Sequence, residues 1–176
     1  RDAAYQLQLP GDRTRLHALA FALIEDLCGG PPATPAPLNP LEFSPVRPHA
    51  TDALALDLAS HARQALVRQS ALPLYLRRAA EVADREFRPV DGCALWQQYA
   101  EATDGLERAE ALRRAGFAAA RAGLLERAEP LYERALAANR ALGNRLQECA
   151  TLGGLGDLKR MQGRMSTAEG LLADAL

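Results

Sequence analysis

Residues 105–176 read GLERAEALRRAGFAAARAGLLERAEPLYERALAANRALGNRLQECATLGGLGDLKRMQGRMSTAEGLLADAL, and this stretch decides the fold. Shifted by 40 residues, it aligns Leu106 with Leu146, Leu112 with Leu152, Gly116 with Gly156 and Gly123 with Gly163. The same shift pairs Ala128 with Ala168, Glu129 with Glu169, Leu131 with Leu171, Ala135 with Ala175 and Leu136 with Leu176. The matched residues are mostly small or apolar and recur at helical spacing, the mark of a repeated supersecondary unit. Gly116 and Gly156 fall in mid-helix, where glycine costs about 1 kcal/mol against alanine, so a close helix approach is expected there, with Ala128 and Ala168 meeting it from the second helix. Gly123 and Gly163 suit tight turns that a residue with a Cβ enters poorly. Each hairpin leaves an apolar face open, so neighbouring hairpins must stack.

Working outward, helices are predicted over Leu106–Ala122, Leu125–Ala141, Arg145–Gln162 and Ser166–Leu176. Upstream, Asp12 to Cys28 places Leu16, Leu19, Ala20, Leu23, Ile24 and Leu27 at three- and four-residue steps, with Asp12 or Thr14 to cap the start and Gly29-Gly30 to stop it. Seven prolines between Pro31 and Pro48 forbid a helix and predict an extended linker. Thr51 to Ser70 reads as one helix, and Pro73 fits the first turn of the next, which runs to about Phe87. Asp91-Gly92 reads as a turn before a helix from Cys93 to Thr103, and Asp104-Gly105 as a break.

The 40-residue unit resembles the tetratricopeptide repeat (TPR) in a longer form found in bacterial regulators. Leu112, Ala115, Gly116, Ala119, Ala128, Tyr132 and Ala135 stand at the signature positions of the first unit. Leu152, Leu155, Gly156, Ala168, Leu172 and Ala175 stand at those of the second. Lys159 departs from the usual aromatic, and Arg140 from the proline that often ends the unit. His61, Ala71, Leu74, Tyr75, Arg78, Ala79 and Ala80 resemble a degenerate hairpin of the same array. The opening Arg1-Asp2-Ala3-Ala4-Tyr5, with Leu9-Pro10, Arg13, Leu16-His17 and Ala20, is similar to a segment of large bacterial STAND-type signal-transduction ATPases. There a winged-helix element and this segment lead into a TPR superhelix. Tyr5 to Leu9 is favoured as helix, with a short strand the alternative, since Tyr5, Leu7 and Leu9 alternate. The chain has no G-x-x-x-x-G-K phosphate loop, so the resemblance implies a sensor arm and assigns no nucleotide hydrolysis to these residues.

The expected organisation is therefore all-α: an N-terminal helical segment at 1–30 (the tail of an upstream domain), a proline-rich linker at 31–50, degenerate TPR-like helices at 51–104, and TPR repeats at 105–144 and 145–176. The hairpins are expected to wind into a right-handed superhelix. The absence of an initiator Met and the stop at Leu176 within a helical pattern suit a segment of a longer protein, with the second repeat truncated.

Charge and composition narrow the function. The net charge of -1, with Lys159 the only lysine, gives no field for nucleic acid or anionic lipid. No stretch approaches the roughly 20 apolar residues of a membrane span, and no secretory leader opens the chain. Cys28, Cys93 and Cys149 lack paired spacing and are expected as reduced, mostly buried thiols of a cytoplasmic protein. His17, His49 and His61 have no metal-ligand spacing, and His17 and His61 suit hydrogen bonding at the core edge. Gly153-Gly154-Leu155-Gly156 lacks the context of a phosphate loop. Glu126, Glu129 and Glu133 beside Arg127 and Arg134 read as a solvated helix face; Arg77, Arg78, Arg113 and Arg114 form local basic pairs, favoured as solvated surface, with a salt-sensitive acidic partner the alternative. No catalytic residue, metal site or cofactor is expected. The TPR resemblance implies a groove lined by Arg113, Phe117, Arg121, Asp157 and Arg160, which would hold a protein or peptide partner, or another domain of the same chain. The expected role is a protein-interaction and sensor scaffold, the regulatory arm of a bacterial signalling ATPase or transcriptional regulator. The alternative is a structural or autoinhibitory packing module for an attached ATPase, kinase, cyclase or DNA-binding domain.

Overall fold

Three glycines at twenty-residue intervals set the C-terminal architecture. Gly123, Gly143 and Gly163 hold φ of 74°, 65° and 76°, the left-handed region that residues with a Cβ adopt at a cost. Around each, the same two bonds close the preceding helix. Leu124 N–H reaches Ala119 O (2.9 Å), Asn144 N–H reaches Asn139 O (3.0 Å), and Arg164 N–H reaches Lys159 O (2.9 Å), each beside a glycine N–H that bonds three residues back.

The computed structural model describes residues 9–38 and 46–175, without the side chains of 66–68. Among the described residues there are eight α-helices, two 3-10 segments and no strand. The helices are α1 Pro10–Leu27, α2 Ala55–Gln64, α3 Leu72–Arg85, α4 Pro89–Glu101, α5 Gly105–Arg121, α6 Leu125–Ala141, α7 Arg145–Met161 and α8 Met165–Asp174. Helices α4 to α8 each pack on the next in sequence across short connections, giving the all-α, TPR-like array of antiparallel hairpins. The residues group into two compact units, 9–35 with 46–79, and 36–38 with 80–175. The reading of residues 1–8 as helix or strand lies outside the described residues, as do 39–45 of the proline-rich stretch and Leu176.

In the first unit, α1 starts at Pro10, with no side-chain cap; Asp12 lies in the first turn and Thr14 in the next, where its Oγ1 donates to Pro10 O (3.2 Å). Proline at N1 is pre-set for a helix start and has no N–H to leave unpaired, so a side-chain cap has less to do. Gly29 and Gly30 (φ 85° and 97°) end the helix as expected. The inward face of α1 carries Phe21, whose ring meets Tyr75 edge-on at 5.5 Å, and Glu25, which accepts the Tyr75 hydroxyl at 2.5 Å. Burial first, then the Glu25 carboxylate, raise the Tyr75 pKa. His17 and His61 share a hydrogen bond, Nδ1 to Nδ1, at 2.8 Å.

Two expectations fail in the middle of the chain. Thr51–Ser70 is not one helix. A 3-10 segment at Ala50–Leu54 leads into α2, and Ala65 is extended (φ -96°, ψ 98°) before a second 3-10 segment at Leu66–Ala71. The entry is held by His49, whose ring accepts the Thr51 N–H, and by Asp52, which pairs with the buried Arg78 guanidinium (2.6 Å). Asp91-Gly92 is not a turn either. Pro89 opens α4, and both residues stand in its first turn. Gly92 is needed there for space, because a Cβ would lie 3.0 Å from the Asp84 carboxylate.

Candidate protein-binding recess

The recess is built from the end of α3 and the length of α5. Its floor is a buried ionic and aromatic network. Glu110 is fully buried on α5, where its carboxylate accepts two bonds from Arg113 (2.7 Å each) and one from Arg114 (3.0 Å). A buried carboxylate is costly unless its oxygens are filled in this way. Burial opposes the charge on Arg113, but the Glu110 bonds outweigh it and raise the Arg113 pKa. The Arg114 guanidinium lies 5.1 Å over the Trp96 ring, and the Trp96 indole N–H donates to Asp84 at 2.8 Å. Burial pushes the Asp84 carboxyl above its usual range, while the Trp96 bond and Arg114 pull the other way. Five side chains from α3, α4 and α5 are thus locked before any partner arrives.

Above this floor opens a cavity of about 350 Å³ lined by Glu81, Asp84, Arg85, Arg113, Arg114, Phe117 and Arg121. Four arginines face two carboxylates. Arg121 differs from the others. Among the described residues it makes no ion pair, and its guanidinium lies instead over two exposed rings, Phe87 at 5.4 Å and Phe117 at 5.7 Å. Phe87 reaches this position from a left-handed backbone (φ 54°) at the end of α3.

Of the five groove positions named from sequence, Arg113, Phe117 and Arg121 line this cavity at four-residue steps along α5. Asp157 and Arg160 do not. They pair with each other at 3.0 Å on the exposed side of α7. Glu81, Asp84, Arg85 and Phe87 were not singled out from sequence, because nothing local announces that the end of α3 returns beside α5. Arg77 and Arg78, expected on a solvated face, are buried, and Arg113 and Arg114 are engaged by Glu110. Glu129 also leaves the solvated pattern. It accepts bonds from Lys159 and Gln162 on the neighbouring hairpin, which hold its pKa below the usual value. Lys159, where an aromatic is usual, is buried by this pairing.

The repeat positions explain the glycines. A Cβ on Gly116 would meet the Tyr132 ring at 3.0 Å, and one on Gly154 would meet the same ring at 2.7 Å. Tyr132 therefore fills a slot between α5 and α7, and burial pushes its hydroxyl up to about 12. It is Tyr132 that stands closest to Gly116, with Ala128 buried beside it on α6. A Cβ on Gly156 would meet Leu172 at 2.9 Å, and Ala168 O lies 3.5 Å away. Leu112, Ala135 and Leu152 are buried around these contacts, while Ala175 caps α8.

Among the described residues no cluster of three or more His, Cys, Asp or Glu could hold a metal, and no helix is long and apolar enough to cross a membrane. Cys28, Cys93 and Cys149 are free thiols, of which Cys93 is buried. No curated protein and no solved structure matches the chain. Residues 107–176 match the tetratricopeptide repeat family, so this part of the chain is similar to an array that mediates protein–protein contacts.

Proposed function

We propose that this chain is a non-catalytic protein-binding arm, whose recess between α3 and α5 holds an acidic segment of a partner protein carrying an apolar residue. The observation that carries the reading is Arg121, an arginine without an ion pair held over the exposed rings of Phe87 and Phe117 at the mouth of an arginine-rich cavity. An arginine pre-positioned on aromatic faces loses little freedom when a carboxylate arrives, and the rings offer apolar surface to the residue beside it. The locked floor supplies a rigid base, so little ordering is needed on binding. In the same reading the chain is the regulatory arm of a larger bacterial signalling ATPase or transcriptional regulator, working in the cytoplasm. The R-D-A-A-Y opening ahead of tetratricopeptide-type repeats and the three free thiols support this.

The test uses two labelled peptides, one of alternating Glu and Leu and its Lys-and-Leu counterpart, titrated by fluorescence anisotropy. The Glu peptide is expected to bind and to weaken as salt rises. Arg121→Glu and Phe117→Ala should each lower its affinity at least about tenfold. Equal binding of both peptides, or indifference to both substitutions, overturns the reading.

A further inference from the structure

The leucines of α1 lie on the side of the helix that the fold leaves bare. Phe21, His17 and Glu25 fix the inward face through Tyr75 and His61. Leu16, Leu19, Leu23 and Leu27, at steps of three and four, stand on the opposite side and are between 46% and 79% exposed. By periodicity these leucines, with Ala20 and Ile24, read as the single apolar stripe of an amphipathic helix. Instead the helix is apolar on both sides, and a row of leucines about 16 Å long faces outward. Singly exposed leucines are ordinary, but a contiguous row marks a surface that something covers.

The charges beside the row select the occupant. Arg15 and Asp26 lie on the same edge of the leucine row, both exposed, and among the described residues neither forms an ion pair. We propose that α1 is a dimerisation helix that pairs antiparallel with α1 of a second copy, about a two-fold axis at the level of Phe21. In that register Leu16 meets Leu27 of the other copy and Leu19 meets Leu23. A two-fold axis across an antiparallel pair brings like edges together, so Arg15 comes beside Asp26 of the other copy, and the same pair recurs by symmetry. One register satisfies both the apolar and the ionic contacts. A parallel pair would instead set the Arg15 edge against the edge that carries Arg13. A single helix pair buries less than a standard interface, so the dimer forms with a Kd in about the micromolar range or weaker. The inference does not rest on the recess at α5.

Sedimentation velocity of the chain between about 1 and 300 µM tests it, a span that brackets a Kd of that order. The expected result is a concentration-dependent dimer. Leu19→Glu with Leu23→Glu should raise the Kd at least about a hundredfold, with an unchanged helical circular dichroism spectrum because both side chains are exposed. Arg15→Asp should weaken the dimer about three- to tenfold, and adding Asp26→Arg should restore it. A monomer throughout the range overturns the proposal, as does a dimer indifferent to the leucine substitutions. Failure of Asp26→Arg to restore pairing overturns the antiparallel register.

Discussion

The two hairpins of the repeat, α5–α6 and α7–α8, share one turn geometry and a 40-residue register, yet they are not packed alike. In the first, Tyr132 is 2% exposed and sits in a slot between Gly116 on its own hairpin and Gly154 on the next. In the second, Leu172 takes the equivalent place over Gly156 and is 41% exposed. A repeat position is therefore packed most tightly where a following hairpin closes over it, as α7 does over Tyr132. The stabilising contact is the one caught between hairpins, as nearest-neighbour coupling in stacked repeats requires.

The largest expected effect breaks that difference directly. Tyr132→Ala empties a slot lined by three helices and should cost about 3–5 kcal/mol. Leu172→Ala removes a half-buried side chain and should cost about 1 kcal/mol or less. Urea unfolding of the two variants measures the gap. Equal losses would show that the hairpins are energetically alike and that the slot adds nothing.

A finer comparison lies within α7, where three glycines within four residues meet different surroundings. Gly154→Ala drives a methyl to within 2.7 Å of a ring held on both sides, and overpacking of this kind costs about 1–3 kcal/mol. Gly156→Ala meets Leu172, a flexible side chain half in solvent, so the gain in helix propensity of about 1 kcal/mol offsets the contact and the change is near neutral. A Cβ on Gly153 finds nothing within 4 Å, so Gly153→Ala should stabilise by about 1 kcal/mol. The order of melting temperatures, Gly153→Ala above Gly156→Ala above Gly154→Ala, checks the series. Any other order removes the slot as its explanation.

These contrasts also show what a reading of the sequence reaches. Helix starts at residues 125, 145 and 165 are legible to within a residue because Gly123, Gly143 and Gly163 punctuate them at a constant interval, a local signal. The need for small residues at 116 and 156 is legible for the same reason. The partner of Gly154 is not, since Tyr132 arrives from another hairpin and only the fold brings them together. The break at Ala65 carries no glycine or proline to announce it. At Asp91-Gly92 a turn-like dipeptide is overridden by Pro89, which starts a helix, and by Asp84, which needs the room. On α1 the periodicity reports a helix correctly but cannot say which of two apolar faces turns inward. For the recess, spacing along α5 places Arg113, Phe117 and Arg121 on one line. The residues opposite them belong to α3 and are joined to the line only by tertiary packing.

The smallest expected effect compares helix ends. Gly123→Ala and Gly163→Ala should each cost about 1 kcal/mol, equally in the two hairpins, because the left-handed turn penalises any Cβ. The end of α3 makes the same pair of bonds, Phe87 N–H to Asp84 O (3.3 Å) and Arg88 N–H to Ala83 O (2.9 Å), with a phenylalanine where the hairpins use glycine. Phe87→Gly relieves about 1 kcal/mol of backbone strain and gives up about 0.5–1 kcal/mol of contact with Arg121, so stability should stay level or rise slightly. If the strained residue is kept for the recess, the same substitution should weaken the acidic peptide several-fold, because Arg121 loses one of its two rings. A variant as stable as the parent that binds less tightly would separate strain kept for binding from strain merely tolerated. Unchanged binding would leave Phe87 an ordinary helix end and make Phe117 the only ring that serves the recess.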